Sequence, residues 1–204
     1  MNSDPTIFVV DDEQAIQEAL QTLLESVGYQ VKTYPSGEAF FEDYLPSRAG
    51  CLILDISMPN LSGTEIQSQL KGRGIRLPVI MISGQASVSM AVQAMKSGAV
   101  DVLEKPFADE LLLQSVREAL QLDKLHRNIQ EEHSKIATRL AHLTSDEHKI
   151  LELICDGATN REIASQMNLK TKVLKAHRAR LIEKMGANSL AGLIKMSVIA
   201  KITS

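Results

Sequence analysis

Short apolar runs alternate with stretches of helical periodicity through the first half of the chain, and this alternation confines it to a parallel sheet covered by helices on both faces. Five strands are predicted, at 7–10, 30–34, 51–54, 77–82 and 100–103. Ile16, Leu20, Leu23, Leu24 and Val27 follow three- and four-residue spacing and stop at Gly28, which suits a left-handed C-cap. A helix over 87–97 ends likewise at Gly98, and Asp109 opens another that carries Leu111–Leu113, Val116 and Leu120.

The second half has a different pattern. No Gly or Pro interrupts residues 122–156, and Leu122, Leu125, Ile129, Ile136 and Leu143 keep an approximate heptad spacing broken by Glu132 and Arg139. A continuing helix follows, either a coiled-coil connection or a solvated strut. Four short helical segments are predicted after it, near 144–156, 159–167, 171–185 and 189–201, with no strand pattern. The net charge of −3 hides a division: residues 1–123 carry 8 Lys and Arg against 17 Asp and Glu, a net of −9, whereas residues 124–204 carry 14 against 8, a net of +6. An acidic module is thus joined to one suited to a polyanion. Cys51 and Cys155 are too few and too far apart for a disulfide framework or a four-ligand zinc site, and they read as buried apolar residues. No run reaches the roughly 18 apolar residues of a membrane span, and the first five residues lack a signal-peptide pattern, so a cytoplasmic protein is expected.

In an open parallel sheet, ligands bind beyond the carboxyl ends of the strands. Asp11-Asp12-Glu13 follow the first predicted strand, Asp55 the third, Ser83-Gly84 the fourth and Lys105-Pro106 the fifth. Taken singly, each is an ordinary turn, cap or solvated side chain. Their common placement on one rim is the informative feature. Three gathered carboxylates repel one another, and oxygen ligands favour Mg²⁺, which is typically held by one or two carboxylates plus water and phosphate. This reading makes Asp12 and Asp55 inner ligands and lets Asp11 act through water. Asp55 becomes a nucleophile that forms an acyl phosphate, with Lys105 and the Ser83 hydroxyl on its phosphoryl oxygens.

Val9-Val10-Asp11-Asp12-Glu13, Leu54-Asp55-Ile56-Ser57-Met58-Pro59, Ser62-Gly63, Ile82-Ser83-Gly84 and Glu104-Lys105-Pro106-Phe107 resemble the receiver domain of two-component response regulators over residues 1–123. The resemblance implies a doubly wound five-stranded α/β fold and Asp55 as phosphoacceptor. It also implies Asp11 and Asp12 as acidic metal-site residues, the Ser57 backbone carbonyl as a further Mg²⁺ ligand, and Ser83 and Lys105 as sensors of the phosphoryl group. The family usually places an aromatic switch residue three positions before the lysine; here that position is Val102, so the usual ring rotation is absent.

Residues 170–184 hold Lys170, Lys172, Lys175, Arg178, Arg180 and Lys184 against Glu183 alone. A basic helix can be a solvated face, a membrane-surface helix or a partner-binding helix. Leu174, His177 and Leu181 at i, i+3, i+7 predict an inward stripe that Val173 extends, leaving Lys175 and Arg178 elsewhere. A lone His on such a stripe reads as structural. Residues 160–167 form a short helix before it, with Asn168-Leu169-Lys170 as the turn, which is helix-turn-helix organisation. Thr171 is a candidate cap for the basic helix.

Leu143-Thr144, Glu147, Gly157-Ala158-Thr159-Asn160-Arg161-Glu162-Ile163-Ala164 and Lys175-Ala176-His177-Arg178 resemble the LuxR-type helix-turn-helix of the NarL and FixJ class over residues 141–204. Residues 124–140 are then a helical linker. The resemblance implies an all-α four-helix domain in which Lys175, Ala176 and Ala179 face bases and Lys172, His177, Arg178 and Arg180 contact phosphate or groove. The fourth helix, with Leu190, Leu193 and Ile194, resembles the family's dimerisation element. The departures are Lys170 and Val173 where Ser and Thr are common, and Asp146 where Arg is common.

The joined expectation is a regulator and not an enzyme: a histidine kinase loads Asp55, and a phosphorylation-dependent homodimer, which the receiver resemblance implies is formed around the fourth helix and fifth strand, binds double-stranded promoter DNA, with RNA polymerase as a further partner. An aspartyl phosphohydrolase is the first rival, but it expects a second Asp two residues after the nucleophile, where this chain has Ser57. A DNA binder that works without phosphorylation is the second, and Val102 keeps it open.

Overall fold

The computed structural model describes residues 4–59, 61–84 and 88–203. The chain divides into two compact units, residues 1–127 and 128–204, each treated by itself below. In the first, strands β1 (Thr6–Val10), β2 (Gln30–Tyr34), β3 (Gly50–Asp55), β4 (Val79–Ser83) and β5 (Asp101–Glu104) form one parallel sheet in the order β2-β1-β3-β4-β5. Helices α1 (Gln14–Ser26), α2 (Gly37–Asp43), α3 (Gly63–Gly72), α4 (Val88–Lys96) and the first part of α5 (Asp109–Ala141) connect and cover it. β4 starts two residues later than predicted, after Pro78, which has no N–H to give to a ladder. Ser87, expected within the fourth helix, lies outside the described residues.

Strand alternation divides the core in two. Phe8, Val10, Leu52, Leu54 and Met81 face Phe40 of α2, Ile66 and Leu70 of α3, and Ala94 of α4. Ile7, Val9, Cys51, Ile53, Ile80 and Ile82 face Leu20 and Leu24 of α1 and Leu112, Val116 and Ala119 of α5. An aromatic cluster closes the first side, with Phe8 edge-on to Phe40 and Tyr44. The helical path through residues 109–141 is continuous. In the first unit its later turns are tied to the sheet: the buried Asp123 carboxylate accepts the Gly50 N–H at 3.0 Å and pairs with Arg127 at 2.7 Å. Arg127 also donates to the carbonyls of Pro46, Ser47 and Arg48.

The second unit is helical, with α6 (Ser145–Cys155), α7 (Asn160–Gln166), α8 (Thr171–Met185) and α9 (Leu190–Thr203) after the end of α5. Ile136 and Leu140 from α5 pack with Leu143, Leu151, Leu181, Met185 and Leu193, so this stretch is core and not a bare strut. Arg139 donates to the Met185 carbonyl at 2.9 Å. Ile150, Ile154, Ile163 and Leu174 form a second cluster. α7 stops where Asn168 takes a left-handed conformation, φ 52°, and the Leu169 N–H returns to the Ala164 carbonyl at 2.8 Å.

Candidate functional site

Register brings the rim together. Val10 of β1 is paired with Leu54 of β3, so the next rung sets Asp11 beside Asp55; Asp55 in turn lies opposite Ile82 of β4, and Ser83 opposite Glu104 of β5. Continuing the alternation, Asp11, Asp55 and Lys105 follow Val9, Ile53 and Leu103, all three of which face the α1–α5 side. Asp11 is fully buried and Asp55 is 4 % exposed. The Lys105 ammonium lies between them, 2.8 Å from Asp11 Oδ2 and 2.9 Å from Asp55 Oδ1. Their other oxygens accept backbone N–H groups, Asp11 from Glu13 at 2.9 Å and Asp55 from Ser57 at 2.8 Å.

Burial alone would push the Lys105 charge off; the hydrogen bonds and charges of Asp11 and Asp55 outweigh it and hold the ammonium above its ordinary range. Ser83 is buried at the end of β4, and its carbonyl accepts the Lys105 N–H at 2.8 Å. The Lys105–Pro106 peptide is cis. Gly63, at the start of α3, returns so close to β3 that a Cβ there would lie 2.4 Å from the Asp55 carbonyl oxygen. Val102 is half-buried against the opposite face from Leu103.

Two of the three expected carboxylates are therefore buried together, and the third stands at the open side of the rim. Asp12, one step past Asp11, has the opposite parity and is exposed. Among the described residues no group of three or more His, Cys, Asp or Glu side chains is gathered to share a metal. Two buried carboxylates already holding one cationic group nevertheless fit a hard ion that takes few protein ligands.

In the second unit the predicted contact residues Lys172, Lys175, Ala176, Ala179 and Arg180 are exposed, and His177 and Arg178 are half-buried. Arg178 donates to Asn160 Oδ1, tying α8 to the start of α7. Two expectations for α8 are corrected. Thr171 is its first helical residue and not its cap; the N-cap is Lys170, with no side-chain cap bond. Val173 is not on the inward stripe, because Leu174, Leu181 and Met185 fill it. Sequence reasoning also missed the pairing of Lys184, which stays exposed, with the buried Glu147 at 2.7 Å. The only signal was the T-x-x-E spacing of Thr144 and Glu147 that fixes one end of that pair.

A doubly wound sheet with an acid–lysine rim, followed by a four-helix unit with a basic second helix of a helix-turn-helix, defines a class that known proteins share. Residues 7–117 match the response regulator receiver domain, and residues 141–197 match the bacterial regulatory proteins of the luxR family. The chain is 36 % identical over 191 residues to the response regulator protein TodT of Pseudomonas putida, covering 94 % of this chain and 84 % of that one. It is 35 % identical over 196 residues to the transcriptional regulatory protein FixJ of Azorhizobium caulinodans, covering 96 % and 93 %. The solved response regulator StyR superposes with a TM-score of 0.85 at 35 % identity over 96 % of this chain and 98 % of that one. The chain belongs to the two-component response regulators of the NarL/FixJ class, and it is a phosphorylation-controlled DNA-binding transcriptional regulator. Among the described residues no helix is long and apolar enough to cross a membrane.

Proposed function

We propose that Asp55 is the phosphoacceptor, that Asp11 and Asp55 hold Mg²⁺ with Asp12 and the Ser57 carbonyl completing the site, and that α8 docks in the major groove of promoter DNA. The observation that carries this reading is the single ammonium of Lys105 shared by Asp11 and Asp55 at the carboxyl ends of their strands. An Asp55 carboxylate oxygen attacks the phosphorus of a histidine kinase's phosphohistidine; the N–P bond breaks, the imidazole leaves with its electron pair, and a mixed anhydride forms on Asp55. Mg²⁺ bound there supplies charge neutralisation for the phosphoryl oxygens. Lys105 exchanges its Asp55 contact for a phosphoryl oxygen, and the Ser83 hydroxyl donates to another. With Val102 in place of a ring, the signal leaves through Ser83 and the fourth helix, whose face with β5 forms the phosphorylation-dependent homodimer.

On the DNA side, Lys175, Ala176 and Ala179 reach bases, and Lys172, His177, Arg178 and Arg180 serve phosphates or the groove wall. Dimerisation sets two such helices on paired half-sites and presents a surface to RNA polymerase. Acetyl phosphate with Mg²⁺ adds one phosphoryl group to the wild-type protein and none to Asp55→Asn, read by intact mass; equal labelling of both would reject Asp55 as acceptor.

A further inference from the structure

One side chain on the basic helix is explained neither by the core nor by charge. Val173 stands in the first turn of α8, 42 % exposed, while the apolar needs of that helix are met by Leu174, Leu181 and Met185, all buried. It shares a face with Ala176 and Arg180 at three- and seven-residue spacing, next to the exposed Lys172. Ala176 and Ala179 have too little side chain to hold the helix away from a partner, so among the apolar side chains on that exposed face the branched Val173 reaches furthest. A helix aimed at a polyanion gains nothing from an exposed isopropyl group unless the partner offers hydrocarbon. On the base edges of the major groove that hydrocarbon is the 5-methyl of thymine.

We infer that Val173, together with Ala176, reads a thymine methyl group in the major groove and so fixes one position of the half-site. This rests on the reading above that α8 occupies that groove. The full-length chain, phosphorylated with acetyl phosphate and Mg²⁺, is used to select a duplex from a randomised pool, and each thymine of that duplex is then replaced in turn by uracil, which keeps the pairing and loses only the methyl. At one position per half-site the replacement weakens wild-type binding about fourfold, the worth of burying one methyl group. Val173→Ala binds the thymine duplex several-fold more weakly and no longer distinguishes thymine from uracil at that position, whereas Val173→Thr, which keeps a γ-methyl, retains the distinction. A selected duplex whose thymines are all replaceable without loss, or a Val173→Ala protein that still discriminates, overturns the inference while leaving the DNA-binding reading intact. Failure to recover any duplex overturns both.

Discussion

Asp11, Asp55 and Lys105 are closed into the end of a sheet, whereas Lys172, Lys175 and Arg180 stand exposed on a helix. In the first region each charge depends on the others: remove the ammonium and two carboxylates face each other in a poorly solvated pocket. In the second, each cation is solvated already, so its loss changes what the surface attracts and not whether the unit folds. The difference teaches where function and stability are coupled. On the reading proposed above, the rim can signal because one ammonium is shared by two carboxylates and an arriving phosphoryl group competes for it, and the basic helix can bind because Lys172, Lys175 and Arg180 stand in solvent.

Breaking this shared ion pair is expected to have the largest effect. Lys105→Ala leaves Asp11 and Asp55 without their shared cation, and the first unit loses about 3–5 kcal/mol, the usual consequence of deleting one partner of a buried ion pair. Urea unfolding followed by circular dichroism reads this as an early transition for one unit only. Adding Asp11→Asn to Lys105→Ala recovers part of the loss, because only one buried carboxylate then remains. A Lys105→Ala protein as stable as the wild type would mean that the carboxylates simply protonate or rehydrate.

The second unit contains an internal version of the same contrast. α6 and α7 each begin with a reciprocal capping box, Thr144 with Glu147 and Thr159 with Glu162, while α8 begins at Lys170 with no side-chain cap. Thr144→Ala is expected to cost about 1 kcal/mol, and Lys170→Ala nearly nothing, in thermal unfolding of the full chain. The hydrogen bonds from Lys184 and the Thr144 N–H hold the Glu147 carboxyl below the ordinary carboxylate range. Its contribution is therefore complete above that range and is lost as the pH falls through the depressed value. Glu147→Gln lowers stability at neutral pH and narrows the gap to the wild type in acid.

Much of this was legible in the sequence, for reasons that can be stated residue by residue. β2 has the predicted bounds, and α8 spans the predicted 171–185, because alternation and helical periodicity are local properties. Asp11, Asp55, Ser83 and Lys105 could be assigned to one rim because the chain's order fixes which strand each one ends. The fate of Asp12 was not legible, since it turns on one residue's parity at the moment the strand stops. Lys184 and Glu147 meet across 37 residues, and Asp123 reaches Gly50 across 73; no periodicity records such pairs. A stripe read from spacing alone is one residue too wide at Val173, and only the packing of Leu174 against α6 and α7 shows where it ends.

The smallest stability effect belongs to the exposed helix, and it sharpens the comparison most. Lys175→Ala should leave unfolding within about 0.5 kcal/mol of wild type, as exposed substitutions generally do. If Lys175 meets a phosphate, affinity falls by a similar factor on every duplex, and the slope of log affinity against log salt concentration drops by about one. If it meets a base edge, the loss is concentrated on one sequence position and the slope changes less. Binding isotherms on a selected and a scrambled duplex across a salt series distinguish the two. A destabilised Lys175→Ala protein would contradict the contrast itself, because a cation on the open face would then be holding the fold together just as Lys105 does at the end of the sheet.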